Sequence, residues 1–413
     1  MSGMSGMKQP VAEIFSQGNE VITGEIADTN AAWLAAELTG LGFRISRHTA
    51  VGDRLEALVG LLREIAERAE VCICTGGLGP TCDDLTAEAV SMAFDLPLCE
   101  DDEALLQIEG WFQRMDRVMP AINRKQALLP STAERIDNRW GTAPGFSIRA
   151  NRCQFFFMPG VPREMKAMYS HAIRPVITQC FDIPLRHRIV LRTVGLGEST
   201  LQERLDGIDL PQGLELGFRA GGAENQVKLG FPPECSHTAV EETLERVRTV
   251  LGSSIYATVR NGEGPASLPA VITELLANKG KTVYVAETLS GGLLATRCAG
   301  QCWIAGSVVE PVPARMLKRL EIPAGLEAAD TAMRLARELR IRENTDYALV
   351  QFGDYSLTDL LDETVHITAY FALSDQHDTV VECRKLSGHP ERKRDSAAVF
   401  SLDFLRRRLG GIR

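Results

Sequence analysis

The twelve residues TGGLGPTCDDLT, at positions 75–86, constrain this chain more than any other stretch of its sequence. They follow the run VCIC at 71–74, whose apolar and β-branched residues predict a buried strand that ends in a glycine turn. Three glycines, Gly76, Gly77 and Gly79, allow backbone N–H groups to approach a ligand closely. Asp83 and Asp84 then precede a predicted helix, and adjacent carboxylates suit a divalent cation. A strand, a glycine loop and a helix start together favour a phosphate site.

The same loop also has a simpler interpretation. Glycine turns after strands are common, and an aspartate pair at a helix start often serves only as a cap. The spacing matches neither the dinucleotide-binding fingerprint nor the P-loop, because no Gly-Lys-Ser/Thr sequence follows the glycines. The loop alone therefore leaves open a phosphate or nucleotide site and a capped turn.

Length, charge and cysteine spacing narrow the class of protein. A chain of 413 residues with 45% hydrophobic and 24% charged residues predicts an ordinary globular protein of two or three domains. The net charge of −9 gives no basic footprint, so we expect no nucleic-acid partner. No apolar run reaches the roughly 18 residues needed to span a bilayer, so we expect no membrane partner. The ten cysteines form no CxxC pair, which favours reduced thiols in a cytoplasmic protein.

Strands and helices are predicted to alternate over residues 10–170. Apolar runs at 11–15, 71–75 and 154–158 predict strands, and stretches 30–41 and 54–69 carry apolar stripes at helical spacing. Such alternation predicts a mainly parallel sheet that is covered on both faces. Ligands bind such sheets beyond the carboxyl ends of the strands, and the glycine loop lies at one of these ends.

The rest of the chain divides into two further predicted regions. Residues 186–258 combine strand-like runs with an amphipathic helix at 238–251, which predicts a small α+β domain. A turn-rich segment at 260–265 predicts a linker, and a third α/β region with helices at 268–278 and 393–409 follows it. We expect Arg406, Arg407 and Arg408 to be a solvated helix end. His366, His377 and His389 lack ligand spacing and are expected on the surface or in strands.

Several separated motifs carry a family resemblance over residues 10–255. They are the glycine loop and the segments GNE at 18–20, TGEIADTN at 23–30, VGD at 51–53, NRKQA at 123–127, GTAPGF at 141–146, MPGVPREM at 158–165 and GLGES at 195–199. In this order they resemble the competence/damage-inducible CinA family and, more distantly, the molybdopterin-binding domains of molybdenum-cofactor enzymes. Asn19 departs from that family pattern, in which an aspartate usually precedes the glutamate.

The resemblance implies three domains and a chemistry. Residues 1–172 would form a molybdopterin-binding-like α/β/α sandwich, 173–258 a small α+β domain of KH-like type, and 259–413 a C-terminal α/β domain of CinA type. The first domain would hydrolyse ADP-ribose or a related nucleotide sugar to AMP and ribose 5-phosphate, with Mg, Mn or Co as a divalent metal ion. The partners implied are a small nucleotide-type ligand and a second copy of the chain in a homodimer.

The candidate site residues are spread over several motifs. Asp53, Asp83 and Asp84 are the predicted catalytic acids, with capping of a following helix as the alternative for each, and Glu20 would join Asp83 and Asp84 as a metal ligand. The predicted ligand-binding and phosphate-binding residues are Gly18, Asn30, Thr75, Gly76, Gly77, Gly79, Thr81, Thr86, Lys125, Pro159 and Gly160.

The third region resembles a nicotinamide-nucleotide deamidase that has lost its chemistry. Its sequence AETLSGG at 286–292 places Thr288 where the family has a nucleophilic serine, and GSVVEPVPARM at 306–316 places Pro311 and Met316 where it has tyrosine and lysine. A hydroxyl group without a nearby base is barely reactive at neutral pH. The predicted degenerate site consists of Glu287, Thr288, Ser290, Gly291 and Gly292. Two alternatives stay open: a binding protein without turnover, and an amidase that uses Thr288.

Overall fold

A computed structural model describes residues 9–181, 187–265, 267–277, 279–323, 325–353 and 355–412. The chain forms two compact units, residues 1–185 and 186–413. The first unit extends beyond residue 172, where the sequence predicts a boundary, because Ile173 and Ile177 are fully buried in its core.

The first unit contains eight strands and seven helices among the described residues. The strands are β1 (Val11–Gln17), β2 (Arg44–Val51), β3 (Val71–Thr75), β4 (Leu98–Glu100), β5 (Leu128–Pro130), β6 (Glu134–Ile136), β7 (Gly145–Ala150) and β8 (Cys153–Met158). The helices are α1 (Asn19–Ile22), α2 (Thr29–Leu41), α3 (Leu55–Arg68), α4 (Thr86–Phe94), α5 (Asp102–Arg114), α6 (Pro162–Met168) and α7 (Arg174–Cys180). A 3₁₀ helix spans Ala121–Ala127, and a π-helical turn, Tyr169–Ile173, joins α6 to α7.

A six-stranded sheet in the order β2-β1-β3-β8-β7-β6 forms the centre of this unit. Strands β2, β1, β3 and β8 are parallel, whereas β7 pairs antiparallel with both of its neighbours, β8 and β6. Alternate residues of β3 enter two separate cores: Cys72 and Cys74 pack towards α3 and α4, and Val71 and Ile73 towards α2 and α6. The predicted α/β/α sandwich is therefore confirmed.

The second unit contains two sheets. Its strands are β9 (Arg188–Val194), β10 (Glu215–Arg219), β11 (Glu224–Gly230), β12 (Ile255–Arg260), β13 (Val283–Glu287), β14 (Ile304–Val309), β15 (Tyr347–Gly353), β16 (Ile367–Ser374) and β17 (Thr379–Leu386). Its helices are α8 (Glu198–Leu205), α9 (His237–Leu251), α10 (Leu268–Leu276), α11 (Leu293–Cys298), α12 (Pro313–Arg319), α13 (Ala328–Arg342), α14 (Leu357–Leu361) and α15 (Pro390–Leu409), with a 3₁₀ turn at Gly252–Ser254. Asn278, the predicted end of α10, lies outside the described residues.

The smaller sheet has the antiparallel order β10-β11-β9-β12 and is covered by α8 and α9, which gives the predicted α+β arrangement. The larger sheet has the order β14-β13-β15-β16-β17 and separates two cores, one beneath α10 and α15 and one beneath α13. The predicted linker begins within β12, and the predicted boundary at residue 258 also falls inside that strand.

The C-terminal arginines differ from expectation. Arg406 is buried, and its guanidinium donates to the backbone carbonyls of Ser253 and Ile255. Arg407 pairs with Asp403 and Glu382. The prediction of a solvated basic end was wrong for these two residues, because α15 ends against β12 and β17 and its arginines supply buried donors there.

Other surface predictions agree with the structure. His366, His377 and His389 are exposed, and a ring nitrogen of His389 accepts from the backbone N–H of Glu391 at the start of α15. All ten cysteines are free thiols. Within the described ranges, we find no helix whose length and apolar character would let it cross a membrane.

Candidate functional site

The candidate site lies at the carboxyl ends of β1 and β3, where the strand order of the first sheet reverses. The chain passes from β1 outward to β2 and then returns to the other side of β1 as β3. The loops after β1 and β3 therefore separate, which is where open α/β sheets bind their ligands. A cavity of about 410 Å³ lies there. It is lined by Gln17, Gly18, Glu20, Asp53, Gly76, Gly77, Leu78, Gly79, Pro80, Asp83, Asp84, Gln126, Thr142, Ala143, Pro159, Gly160, Val161 and Glu164.

The glycine loop needs its glycines for two reasons. Gly76 and Gly77 have φ values of 100° and 65°, a region that side chains make unfavourable. A Cβ atom at Gly76 would overlap the carbonyl oxygen of Gln17, and one at Gly77 would overlap the side chains of Gln17 and Thr86. The loop is therefore pressed against the end of β1, with no room for larger residues.

Three successive backbone N–H groups of this loop can donate hydrogen bonds to a ligand. The N–H of Gly76 donates to the carbonyl oxygen of Met158 at 3.0 Å, but those of Gly77, Leu78 and Gly79 have no acceptor in the described part of the chain. All three residues line the cavity. Consecutive free amides in a glycine turn form an anion-binding concavity.

Gln17 connects the parts of the site, and sequence reasoning missed it. Its side chain is buried, and Nε2 donates to Oδ1 of Asp53 at 2.9 Å and to the carbonyl oxygen of Asp83 at 3.2 Å. Its Oε1 accepts from the hydroxyl of Thr86. One amide thus ties together the loops after β1, β2 and β3. The predicted strand ends at residue 15, and the observed strand β1 continues to Gln17, so the sequence prediction did not place Gln17 at the strand end.

Asp53 is held on two sides at the cavity wall. It accepts from Gln17 and, through Oδ2, from the backbone N–H of Asn19 at 3.2 Å. In return, Oδ1 of Asn19 accepts from the N–H of Asp53 at 3.3 Å. Arg54, not Asp53, occupies the N-cap position of α3, so the capping alternative does not describe Asp53.

Asp83 and Asp84 also line the cavity without capping α4, whose N-cap residue is Leu85. Oδ2 of Asp84 accepts from the backbone N–H of Thr81 at 2.8 Å and from its hydroxyl at 2.5 Å. The carboxylate of Asp83 is exposed, and hydrogen bonding by Thr81 lowers its pKa below the ordinary value. Asp84 therefore shapes the loop, and Asp83 presents an ionised carboxylate near neutral pH.

Several predicted ligand-binding residues lie behind the cavity wall. Asn30, Thr75 and Thr86 are buried, and none of them lines the cavity. Nδ2 of Asn30 donates to the carbonyl oxygen of Gly160 at 2.7 Å, and the hydroxyl of Thr86 donates to that of Gly76 at 3.0 Å. These three residues position the loops that carry the lining.

Lys125 also lies outside the lining. Its ammonium group donates to the carbonyl oxygen of Thr81 at 3.0 Å and lies 3.4 Å from Oε1 of Glu88. Lys125 therefore braces the glycine loop, because the 3₁₀ helix Ala121–Ala127 carries it to the side where Thr81 and Glu88 lie.

The lining also contains residues that the sequence analysis did not single out. Gln126 donates to the carbonyl oxygen of Leu78 and to the hydroxyl of Thr142, each at 3.3 Å. Glu164 accepts from Nδ2 of Asn138 at 2.7 Å. The motifs NRKQA, GTAPGF and MPGVPREM, which carried the resemblance, thus meet at one cavity.

The charged side chains that line the cavity are all negative. Five carboxylates line it, those of Glu20, Asp53, Asp83, Asp84 and Glu164. Among the described residues, no lysine or arginine lines it. A phosphate group would enter this field only with a cation that offsets the negative charge.

The cavity suits a metal ion only if the bound ligand supplies some of the oxygen atoms that coordinate the ion. In the described ranges, no three histidine, cysteine, aspartate or glutamate side chains form a group that could hold an ion by themselves. A hydrated magnesium-type ion usually takes one or two carboxylates from the protein and further oxygens from phosphate and water. Asp83 and Glu20, both exposed at the cavity, fit that pattern.

The segment 286–292 of the second unit has a different organisation. Glu287 is fully buried, and its carboxylate accepts from the backbone N–H groups of Leu294 and Ala295 at 3.1 and 2.8 Å, at the start of α11. Ser290 donates to Glu287, and its backbone N–H donates to Oε1 of Gln351 at 2.8 Å. The polar groups of this segment are thus committed to holding a helix end and a neighbouring strand.

Among the described residues, no base forms a hydrogen bond with the hydroxyl of Thr288. Thr288 is buried, and its hydroxyl donates to the carbonyl oxygen of Gln351 at 3.4 Å. Tyr355 lies nearby, and its hydroxyl donates to the carbonyl oxygen of Pro311 at 2.9 Å. Burial raises the pKa of Tyr355 to about 12, so this phenol stays protonated at neutral pH and cannot accept a proton.

Comparison with known proteins places this geometry in a family. Residues 13–179 match the family described as "Probable molybdopterin binding domain". A CinA-like protein from Shewanella sediminis (strain HAW-EB3) is 36% identical over 97% of this chain and 96% of its own length, and one from Shewanella sp. (strain ANA-3) is 34% identical over 96% and 95%. The solved structure of the protein CinA from Thermoplasma acidophilum has 30% identity and a TM-score of 0.38, and covers 41% of this chain and 98% of its own. The chain therefore belongs to the family of CinA-like proteins.

Proposed function

We propose that the cavity beside the glycine loop binds a nucleotide-type diphosphate together with a divalent cation and hydrolyses it. ADP-ribose, or a related nucleotide sugar, is the proposed substrate, with AMP and ribose 5-phosphate as the products of ADP-ribose. The family resemblance supplies the substrate class, and the cavity supplies the physical argument. Magnesium, manganese or cobalt is the proposed metal.

The observation that carries this proposal is that three free backbone N–H groups and five carboxylates line the same cavity. The N–H groups of Gly77, Leu78 and Gly79 offer donors to phosphate oxygens. Five carboxylates nearby repel the same oxygens unless a cation lies between them. A diphosphate bridged by a divalent ion satisfies both features, whereas a neutral ligand would use neither.

Each group then has a proposed part in the reaction. Water attacks one phosphorus atom of the P–O–P linkage, a new P–O bond forms, and the bridging P–O bond breaks. The cation, when bound, offsets the charge of the phosphates. Asp53, fixed by Gln17 and Asn19, accepts the proton from the attacking water. Asp83 and Glu20 hold the cation, and the free loop amides stabilise the charge that grows on the phosphate oxygens.

The test is hydrolysis of ADP-ribose by the full chain in the presence of Mg²⁺, Mn²⁺ or Co²⁺, with AMP measured by chromatography. We expect turnover that chelation abolishes, and at least a hundredfold loss in Asp83→Asn and Asp53→Asn. Glu64→Gln is the matched control, because Glu64 is exposed, pairs with Arg68 within α3 and does not line the cavity. Absence of AMP with all three metals would remove the hydrolase proposal.

Asn19 favours a second candidate, ligand binding without turnover. An amide in place of the aspartate usual in the family carries no charge, and its side-chain oxygen is used by the N–H of Asp53. A weaker hold on the cation could leave binding intact and reduce catalysis. Thermal stabilisation by ADP-ribose and metal without any AMP would support this candidate over the first.

For the deamidase-like region we propose a non-catalytic role. The carboxylate of Glu287 stabilises the start of α11, and the side chain of Gln351 connects Ser290 to Ser401 in α15. These bonds hold the larger sheet of the second unit to its covering helices.

A further inference from the structure

A second and larger cavity lies at the β6 edge of the first sheet. Its volume is about 670 Å³, within the range typical of small-molecule sites. We call it the aromatic cavity and define it by Ile136, Arg139, Trp140, Phe156, His171 and Ile173. None of its lining residues lines the cavity beside the glycine loop.

The floor of the aromatic cavity is apolar and buried. Ile136, Phe156, Met168 and Ile173 are all buried and belong to one core cluster. The π-helical turn Tyr169–Ile173 interrupts the α6–α7 helix at this place, and three of its residues line the cavity. Such turns often accompany functional sites. The floor is therefore built from the core and does not depend on mobile surface side chains.

Two aromatic rings form one wall. The rings of Trp140 and His171 have their centroids 5.1 Å apart and an interplanar angle of 40°. His171 is fixed, because its Nδ1 lies 2.8 Å from the carbonyl oxygen of Ala167. A flat ring entering the cavity would extend this stack and cover the apolar floor.

Two arginines line the aromatic cavity, and they differ in their partners. Arg135 is fully engaged, since it pairs with Asp101, Glu103 and Asp137. Arg139 is exposed, and in the described part of the chain its guanidinium forms no hydrogen bond or ion pair. Its charge interacts electrostatically with the carboxylate of Asp137. A guanidinium beside aromatic rings is suited to a carboxylate, with which it forms two parallel hydrogen bonds.

We infer that the aromatic cavity is a second ligand site, specific for a planar aromatic carboxylate. The ring packs against Trp140 and His171 over the apolar floor, and the carboxylate pairs with Arg139. The site is separate from the cavity beside the glycine loop, although the segment 137–143 contributes to both. Asp137, Arg139 and Trp140 line the aromatic cavity. Thr142 and Ala143 line the cavity beside the glycine loop.

The experiment uses the full chain and three small probes in calorimetric titrations. Naphthalene-2-carboxylate carries both recognition features, its neutral amide carries only the ring, and cyclohexanecarboxylate carries only the charge. We expect the aromatic acid to bind at least tenfold more tightly than either of the other two. Arg139→Ala removes the preference for acid over amide, and Trp140→Leu removes the preference for the aromatic ring.

Two controls separate this site from the rest of the protein. Arg163→Ala removes an exposed arginine of the same unit that lines neither cavity, and it should leave all three affinities unchanged. Asp83→Asn alters the other cavity and should also leave them unchanged. If Trp140→Leu fails to fold, Arg139→Ala decides alone, because Arg139 is exposed and forms no hydrogen bond or ion pair with the described residues.

The inference is overturned by any of three results. The first is no binding of the aromatic acid at millimolar concentration. The second is equal affinity for acid and amide in the natural chain, or a preference that survives Arg139→Ala. The third is loss of acid binding in Asp83→Asn, which would assign the probe to the cavity beside the glycine loop.

Discussion

Nε2 of Gln17 donates to Oδ1 of Asp53 at 2.9 Å, and this bond joins the ends of two neighbouring parallel strands at the cavity wall. The same nitrogen reaches the carbonyl oxygen of Asp83 at 3.2 Å. Gln17 thus sets the distance between the loop that carries the proposed proton acceptor and the loop that carries the free amides. A side chain that fixes two loops relative to each other can in this way determine whether the site works.

The first prediction concerns this clamp. Gln17→Ala removes one hydrogen-bond partner each from Asp53, the Asp83 carbonyl and the Thr86 hydroxyl, and we expect it to destabilise the fold by about 1–3 kcal/mol. AMP formation from ADP-ribose should fall by at least about tenfold at saturating metal. Gln113→Ala, on the exposed side of α5, is the control and should change neither quantity. Full activity in Gln17→Ala would show that the clamp is unnecessary.

The second prediction concerns the glycine loop. In Gly77→Ala, a side chain at φ 65° would overlap Gln17 and Thr86, so we expect a lower melting temperature and no binding of ADP-ribose with metal. Gly60→Ala provides the contrast, because Gly60 lies within α3 with open space around it. That change should stabilise the protein by about 0.5–1 kcal/mol. Thermal melts of both variants and their titration with ADP-ribose and metal test this prediction. Unaltered binding in Gly77→Ala would contradict it.

The third prediction concerns acid stability in the second unit. Burial opposes ionisation of Glu382, but hydrogen bonds and charge from Arg407 and Arg384 outweigh it and hold the pKa of Glu382 below its ordinary value of 4.5. Its stabilisation is therefore complete above that value and is lost as the pH falls through the lowered folded-state pKa.

Glu382→Gln should accordingly lose about 1–3 kcal/mol of unfolding free energy near pH 7. The difference from the natural chain should shrink as the pH falls below 4.5 and through the lowered folded-state pKa. Denaturant melts at several pH values measure it, with Glu338→Gln on the exposed face of α13 as the control. A difference that is independent of pH would show that the ion pair does not stabilise the fold.

The fourth prediction concerns Thr288. Because its hydroxyl is buried and none of the described residues bonds to it as a base, the full chain should release no more ammonia from nicotinamide mononucleotide than Thr288→Val does. Hydrolysis of ADP-ribose should be the same in both proteins. Ammonia release by the natural chain that disappears in Thr288→Val would instead establish an active amidase.

Local sequence patterns predicted the parts of the site that are contiguous in the chain. The strand 71–75 and the glycine loop could be predicted because a buried β-branched run and three glycines determine the local backbone. Partners that meet only through strand order, such as Gln17 with Asp53 or Gln126 with Leu78, have no local signal. Lys125 shows the same limit, because its residue type suited a phosphate, but the position of its helix directs it to Thr81 and Glu88.

The central claim is that the acidic cavity accepts a diphosphate only together with a divalent cation. Calorimetric titration of the full chain with the methylene-bridged analogue of ADP-ribose, which cannot be cleaved, tests it directly. The account predicts micromolar binding with Mn²⁺, at least a hundredfold weaker binding in a chelator, and loss of the metal-dependent part in Asp83→Asn. Equal affinity with and without metal would contradict it.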